Sequence, residues 1–232
     1  MKEICNNCFN KKICSSEMQD TVPSENTFCM RRFKLNYLYN EALIPEKLRA
    51  HVGLRADPVD TDSFIKLREL SSDIWSFVKG GQNLYIFSRK TGNGKTSWAL
   101  RFTQNWLNLI VDTANLECKA LFISVPRLLL ALKHDISSPE TDAELQQIRE
   151  NILKADLVVW DDIGSKNGTT FEIENLFSFI DARLSLGKAN IFTSNLDKSE
   201  LEEALGNRLV SRIYGSSTVI ELQGKDRRGS NK

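Results

Sequence analysis

The chain has 232 residues, 41% apolar and 26% charged, a globular composition with room for one α/β domain and a small appendage. A formal net charge of +1 excludes bulk attraction to nucleic acid or to an acidic membrane, so any basic surface must be local. No apolar run approaches the roughly 18 residues of a membrane span, and the opening Met1-Lys2-Glu3-Ile4-Cys5 lacks the apolar core of a signal peptide, so the chain is expected in the cytoplasm, where disulfides are rare.

Cys5, Cys8, Cys14 and Cys29 come first, in the pattern C-x2-C-x5-C-x14-C. In a reducing compartment four clustered thiols suggest a tetrahedral zinc site, and metal binding would supply the folding energy that so few apolar residues cannot. The alternative is four unrelated thiols. Next, basic and aromatic residues interleave over 30–39. This suits either a contact surface for nucleic acid or protein, or a small helix packing Phe33, Tyr37 and Leu38 onto the zinc unit. Residues 51–62 hold Gly53, Pro58 and several acids and read as a linker or docking strap. Asp62-Ser63 is expected to cap one helix over 64–79, ended by Gly80-Gly81.

A short apolar strand over 84–87 then gives way to Ser-Arg-Lys-Thr-Gly-Asn-Gly-Lys-Thr and to a pattern of helical period through Trp98, Phe102 and Trp106. Strand, glycine loop, then helix is the context of a P-loop. Triphosphate is dense negative charge, and a helix N-terminus offers unpaired N–H groups and the positive end of a dipole. Gly92 and Gly94 let the backbone close on phosphate, so Thr91, Gly92, Asn93, Gly94, Lys95, Thr96 and Ser97 are the expected nucleotide-binding residues. Lys95 would reach the β- and γ-phosphates, and the Thr96 hydroxyl would ligate Mg²⁺. Arg89 stands where the P-loop pattern has its first glycine.

Further on, 120–125 reads as a second buried strand, Pro126 opens a helix, and 140–154 is a polar helix. The run Leu-Val-Val-Trp-Asp-Asp over 157–162 is an apolar strand ending in paired carboxylates. Downstream of a P-loop it reads as a Walker B strand, with Asp161 on Mg²⁺ and Asp162 polarising the attacking water. Trp160 is read as packing. Thr170 is expected to cap the next helix. A strand over 189–195 ends in Asn195, whose amide suits the attacking water or the γ-phosphate, and Asp197 begins another helix. Arg208 and Arg212, four apart, share a helix face, and either could reach a neighbouring subunit's γ-phosphate. A last strand covers 219–222, and 225–232 is a basic tail read as disordered.

Together TGNGKT, VVWDDIG, IFTSN and LGNRLVSRI resemble the AAA+ ATPases of the bacterial replicative helicase-loader group, DnaC/DnaI-like, from about Phe64 to the C-terminus. The resemblance implies an α/β fold: a P-loop parallel sheet flanked by helices, with little or no C-terminal lid, beside a small N-terminal zinc unit. It implies Lys95 and Thr96 in Walker A, Asp161 and Asp162 in Walker B, Asn195 as sensor and Arg212 as finger with Arg208 beside it. It divides the chain into a helicase-interacting unit over 1–50, a linker over 51–63 and an ATPase domain over 64–232. The implied cofactors are ATP, Mg²⁺ and Zn²⁺. The implied partners are a replicative helicase, single-stranded DNA and further copies of the chain, with no membrane. Two other functions fit the same residues: a transposition-helper ATPase, IstB-like, that binds duplex DNA, and a zinc-bearing interaction protein that holds nucleotide without turnover.

Overall fold

The computed structural model describes residues 30–49, 54–115, 117–135, 142–165 and 168–226. Cys5, Cys8, Cys14 and Cys29 lie outside them, and so does the zinc expectation. Strands β1 (Asn83–Phe87), β2 (Ala120–Ser124), β3 (Leu157–Asp161), β4 (Ala189–Ser194) and β5 (Ser217–Glu221) form one sheet in the order β2-β3-β4-β1-β5. Every pairing is parallel. Parallel strands need helical crossovers, which cover both faces, and that is why these strands read as apolar runs rather than alternating ones. Every residue of β3 and β4 is buried.

Alternate side chains feed two cores. Leu84 and Ile86 of β1 and Val159 of β3 face helices α1 (Met30–Glu41), α2 (Thr61–Ser72), α3 (Ile74–Lys79) and α4 (Lys95–Ile110). Tyr85, Val158 and Trp160 face α5 (Val125–Asp135), α6 (Asp142–Lys154), α7 (Thr170–Ser185), α8 (Lys198–Leu205) and α9 (Asn207–Ser216). Trp160 is wholly buried, as its reading as packing requires, and its indole N–H donates to Asn190 Oδ1 at 3.1 Å. Arg183 is buried on the same side. It survives there because its guanidinium donates to Asn190 Oδ1 at 2.8 Å and to the carbonyls of Ile152, Ala155 and Ala189.

The local expectations need corrections, the first being that the helix expected to be capped by Asp62-Ser63 begins at Thr61 with Asp60 as its N-cap. The helix expected over 64–79 is two helices, because Asp73 (φ −97°, ψ 54°) leaves helical geometry and its carboxylate caps α3 at Ser76 N, 3.3 Å. The break turns α3 so that Phe77 and Val78 enter the core. Val125 belongs to α5, not to the strand before it. The cap of α7 is Thr169, not Thr170, in a capping box with Glu172. The small helix over 30–41 does not fold apart from the rest: Leu35, Leu38 and Tyr39 share the core of α4, while Phe33 stays half exposed. The start of the C-terminal tail is held. Gln223 and Gly224 donate their amides to the two carboxylate oxygens of Asp60 at 2.6 and 2.9 Å, and Lys225 N donates to Asp57 at 3.3 Å.

Candidate nucleotide-binding site

Register builds the site. β4 lies between β1 and β3, with Phe87 opposite Ser194 and Trp160 opposite Phe192. The C-terminal ends of the three strands therefore open on one edge, where ligands of open parallel sheets bind. The loop after β1, the acids ending β3 and Asn195 after β4 come together there, though up to about a hundred residues separate them in the chain.

In the loop, Gly92 and Gly94 take φ of 71° and 108°, a region costly for any side chain, and Gly94 is the N-cap of α4. The Asp226 carboxylate leans directly on Gly92, where a Cβ would collide with it, and Thr91 Oγ1 donates to Asp226 Oδ2 at 3.4 Å. Lys95 is buried, and its ammonium donates to the loop's own carbonyls, Lys90 O at 3.0 Å and Ser88 O at 3.4 Å. Asn93 ties the loop to the residue that follows the last strand, through Leu222 O at 3.0 Å. Arg89 turns away from the loop's interior and pairs with Asp197 and, at 3.5 Å, with Glu200.

Thr96 Oγ1 donates to Asp161 Oδ1 at 3.0 Å. A hydroxyl and a carboxylate at one point are a hard-oxygen donor pair that suits Mg²⁺. Burial pushes the Asp161 carboxyl above its ordinary value. The Thr193 and Thr96 hydroxyls pull it back, the Asp162 charge raises it further, and Lys95 lowers it.

A cavity of about 480 Å³ opens over this arrangement, within the range that takes a nucleotide-sized ligand. Thr91, Gly92, Asn93, Gly94, Lys95, Thr96 and Ser97 line it, together with Asp162 and Asn195. Leu54, Phe64 and Leu222 add an apolar wall, Phe64 being held edge-on by Trp98 with ring centres 5.1 Å apart, and Arg55, Asp57 and Asp60 add polar groups. Sequence reasoning missed this wall, because nothing in the spacing of residues 54–64 or 222 points to a cavity at the loop over 91–97. It also missed Thr193, whose one signal is a polar side chain inside an apolar strand next to the acids.

Arg208 and Arg212 do not line the cavity. Both lie exposed on α9 and face α7: Arg208 sits over the Phe177 ring at 4.3 Å, and Arg212 Nε lies 3.1 Å from Asp181 Oδ1.

A five-stranded parallel sheet with a glycine loop after its first strand and paired acids after its third defines a P-loop α/β domain of AAA+ type. The family model of IstB-like ATP binding proteins matches residues 25–232, and the chain belongs to that family. No curated protein matches it. Among solved structures its fold is similar to that of DnaI (22% identity, TM-score 0.61, covering 82% of this chain and 100% of that one). It is likewise similar to the DnaC helicase loader (16%, 0.56, 80% and 98%) and to the replication initiator DnaA bound to AMPPCP and single-stranded DNA (20%, 0.55, 79% and 53%). The motif resemblance to the DnaC/DnaI group and the fold agree. No helix among the described residues is long and apolar enough to cross a membrane.

Proposed function

We propose that this chain is an ATPase that loads a replicative DNA helicase onto single-stranded DNA and works as an ATP-dependent homo-oligomer. One observation carries the enzymatic part: the Thr96–Asp161 hydrogen bond at 3.0 Å, beside a cavity whose lining runs unbroken from Thr91 to Ser97. The loader part is supported by a fold shared along almost the whole length of DnaI and DnaC. A DnaA structure holding single-stranded DNA supports that choice of nucleic acid.

The roles follow from position. Backbone N–H groups from Gly92 to Lys95 bind phosphate oxygens, and Lys95 exchanges its two carbonyl partners for phosphate charge. Thr96 and Asp161 would hold Mg²⁺, which would supply positive charge to balance what builds on the phosphate oxygens during transfer. Asp162 takes the proton side of the attacking water, and Asn195 orients that water. Leu54, Phe64 and Leu222 form the wall for the base. Arg212, with Arg208 beside it, reaches the γ-phosphate held by a neighbouring copy. Cys5, Cys8, Cys14 and Cys29 hold Zn²⁺ in the part that grips the helicase.

Lys95→Ala should weaken binding of a fluorescent ATP analogue at least about tenfold. Asp162→Asn should still bind it while phosphate release falls about a hundredfold. The wild-type protein should co-purify with a replicative helicase and retain single-stranded DNA only with ATP present. A wild-type protein that binds no ATP sinks the enzymatic half, and one that binds ATP but captures no helicase sinks the loader half. The family's IstB-like description favours a second reading, a transposition helper on duplex DNA. ATP-dependent retention of duplex in preference to single strands would select it.

A further inference from the structure

Thr193 sits on β4 one step beyond the Trp160–Phe192 pair, beside Asp161, and is wholly buried. Its hydroxyl is used twice. It donates to Asp161 Oδ1 at 2.7 Å and accepts the backbone N–H of Asp162 at 3.0 Å. The carbonyl of the same residue accepts Ile163 N at 2.9 Å, and the Ser194 hydroxyl donates to Ile163 O at 2.7 Å. Two consecutive residues of β4 thus clip the last residue of β3 and the two that follow it.

What they clip is unusual. Asp162 has a φ of 57°, and only Leu43 among the other described non-glycine residues is also positive. A left-handed residue outside glycine persists where its surroundings over-determine it. Here the turn leaves Asp161 in the sheet with its oxygen on Thr96 and brings Asp162 to the cavity. One hydroxyl bonded to both residues fixes the first carboxylate and the backbone of the second together. A valine of the same shape could do neither.

We infer that Thr193 is a positioning residue of the hydrolytic site, holding Asp161 and Asp162 in register with each other and with Thr96. This rests on the reading of the cavity as a nucleotide and Mg²⁺ site. Thr193 touches no substrate. It acts through the two acids, so its loss should leave the phosphate loop alone and spoil what the acids do.

The test compares Thr193→Val and Thr193→Ser with wild type. In the valine variant the hydrogen-exchange protection of the Asp162 amide should fall about tenfold, the worth of a hydrogen bond near charge. Affinity for a fluorescent ATP analogue without Mg²⁺ should stay unchanged, while the strengthening that Mg²⁺ adds drops about tenfold. Turnover should fall at least as much, and the KM measured with Mg²⁺ should rise with the lost affinity. The serine variant keeps the hydroxyl and should recover all of these. The inference is overturned if valine leaves Asp162 protection and the Mg²⁺ effect intact, or if serine is as damaged as valine. A wild-type protein that binds ATP without hydrolysing it removes the ATPase reading, and the exchange and Mg²⁺ readouts still judge Thr193. A wild-type protein that binds no nucleotide removes the site reading, and with it the role of Thr193 in hydrolysis, whatever the amide exchange shows.

Discussion

Arg89 stands at the loop position where glycine is the pattern, yet its φ is negative, so no glycine is needed there to make the turn. Its charge leaves the phosphate site and goes to Asp197, the N-cap of α8. The Asp197 carboxyl is drawn down to about 2, first by the backbone N–H of Glu200, then by the Arg89 guanidinium and the Ser199 hydroxyl. A carboxyl depressed by folding adds stability above its ordinary value of 3.8, and that contribution is lost as pH falls through about 2. Asp197→Asn should therefore unfold at lower urea concentration than wild type near neutral pH, and the gap should narrow progressively once the pH drops below about 4. A gap that stays constant down to pH 3 would remove the charge from the account and leave only the cap. The loop glycines, Lys95, Thr96 and the two acids, which the fold gathers at one sheet edge, could be picked out at this scale, because the P-loop pattern restricts residue type at fixed spacing. The destination of Arg89 was not, because its partner lies 108 positions away.

At the scale of elements, the segment that follows β5 does more than end the chain. Leu222 N continues the pairing to Phe87 O at 2.9 Å, Lys90 Nζ donates to Gln223 O at 2.8 Å, and Asp60 receives two successive amides. Asp60 is nearly buried, so Asp60→Ala would strand both N–H groups and cost about 1–3 kcal/mol of stability for each group left without water. Urea denaturation should show the loss, and limited proteolysis should cut first after Leu222. Unchanged stability would mean that the segment is not anchored there. The strands and most helices could be read from apolar period. The break at Asp73 and the shift of one cap from Thr170 to Thr169 could not, since each is decided by which of two adjacent polar residues reaches an amide once the core has set the helix direction.

For the whole molecule, the decisive fact is where the arginines are not. Arg208 and Arg212 lie on α9 against α7, off the cavity that the glycine loop shares with Asp162 and Asn195. A finger placed there serves a neighbour's nucleotide or none. If copies assemble as proposed, Arg212→Ala and Lys95→Ala should each abolish hydrolysis alone, and a mixture of the two should recover turnover, because an intact loop would then meet an intact arginine of a neighbouring copy. An Arg212→Ala protein that hydrolyses ATP at the wild-type rate would end that assignment. The helix over 30–41 also counts at this scale, since it shares the core of α4 and makes any boundary near residue 50 one of sequence rather than of packing.

The amino-acid order alone determined the parallel α/β class, the glycine loop after β1 and the carboxylate pair, because each is written in local composition and short spacing. Only the tertiary structure decided the apolar wall of the cavity, the fastening of residues 222–225 to Asp57 and Asp60, and the double use of the Thr193 hydroxyl. Those depend on strand order and register, which bring distant residues within hydrogen-bond reach and leave no trace in the spacing of either partner.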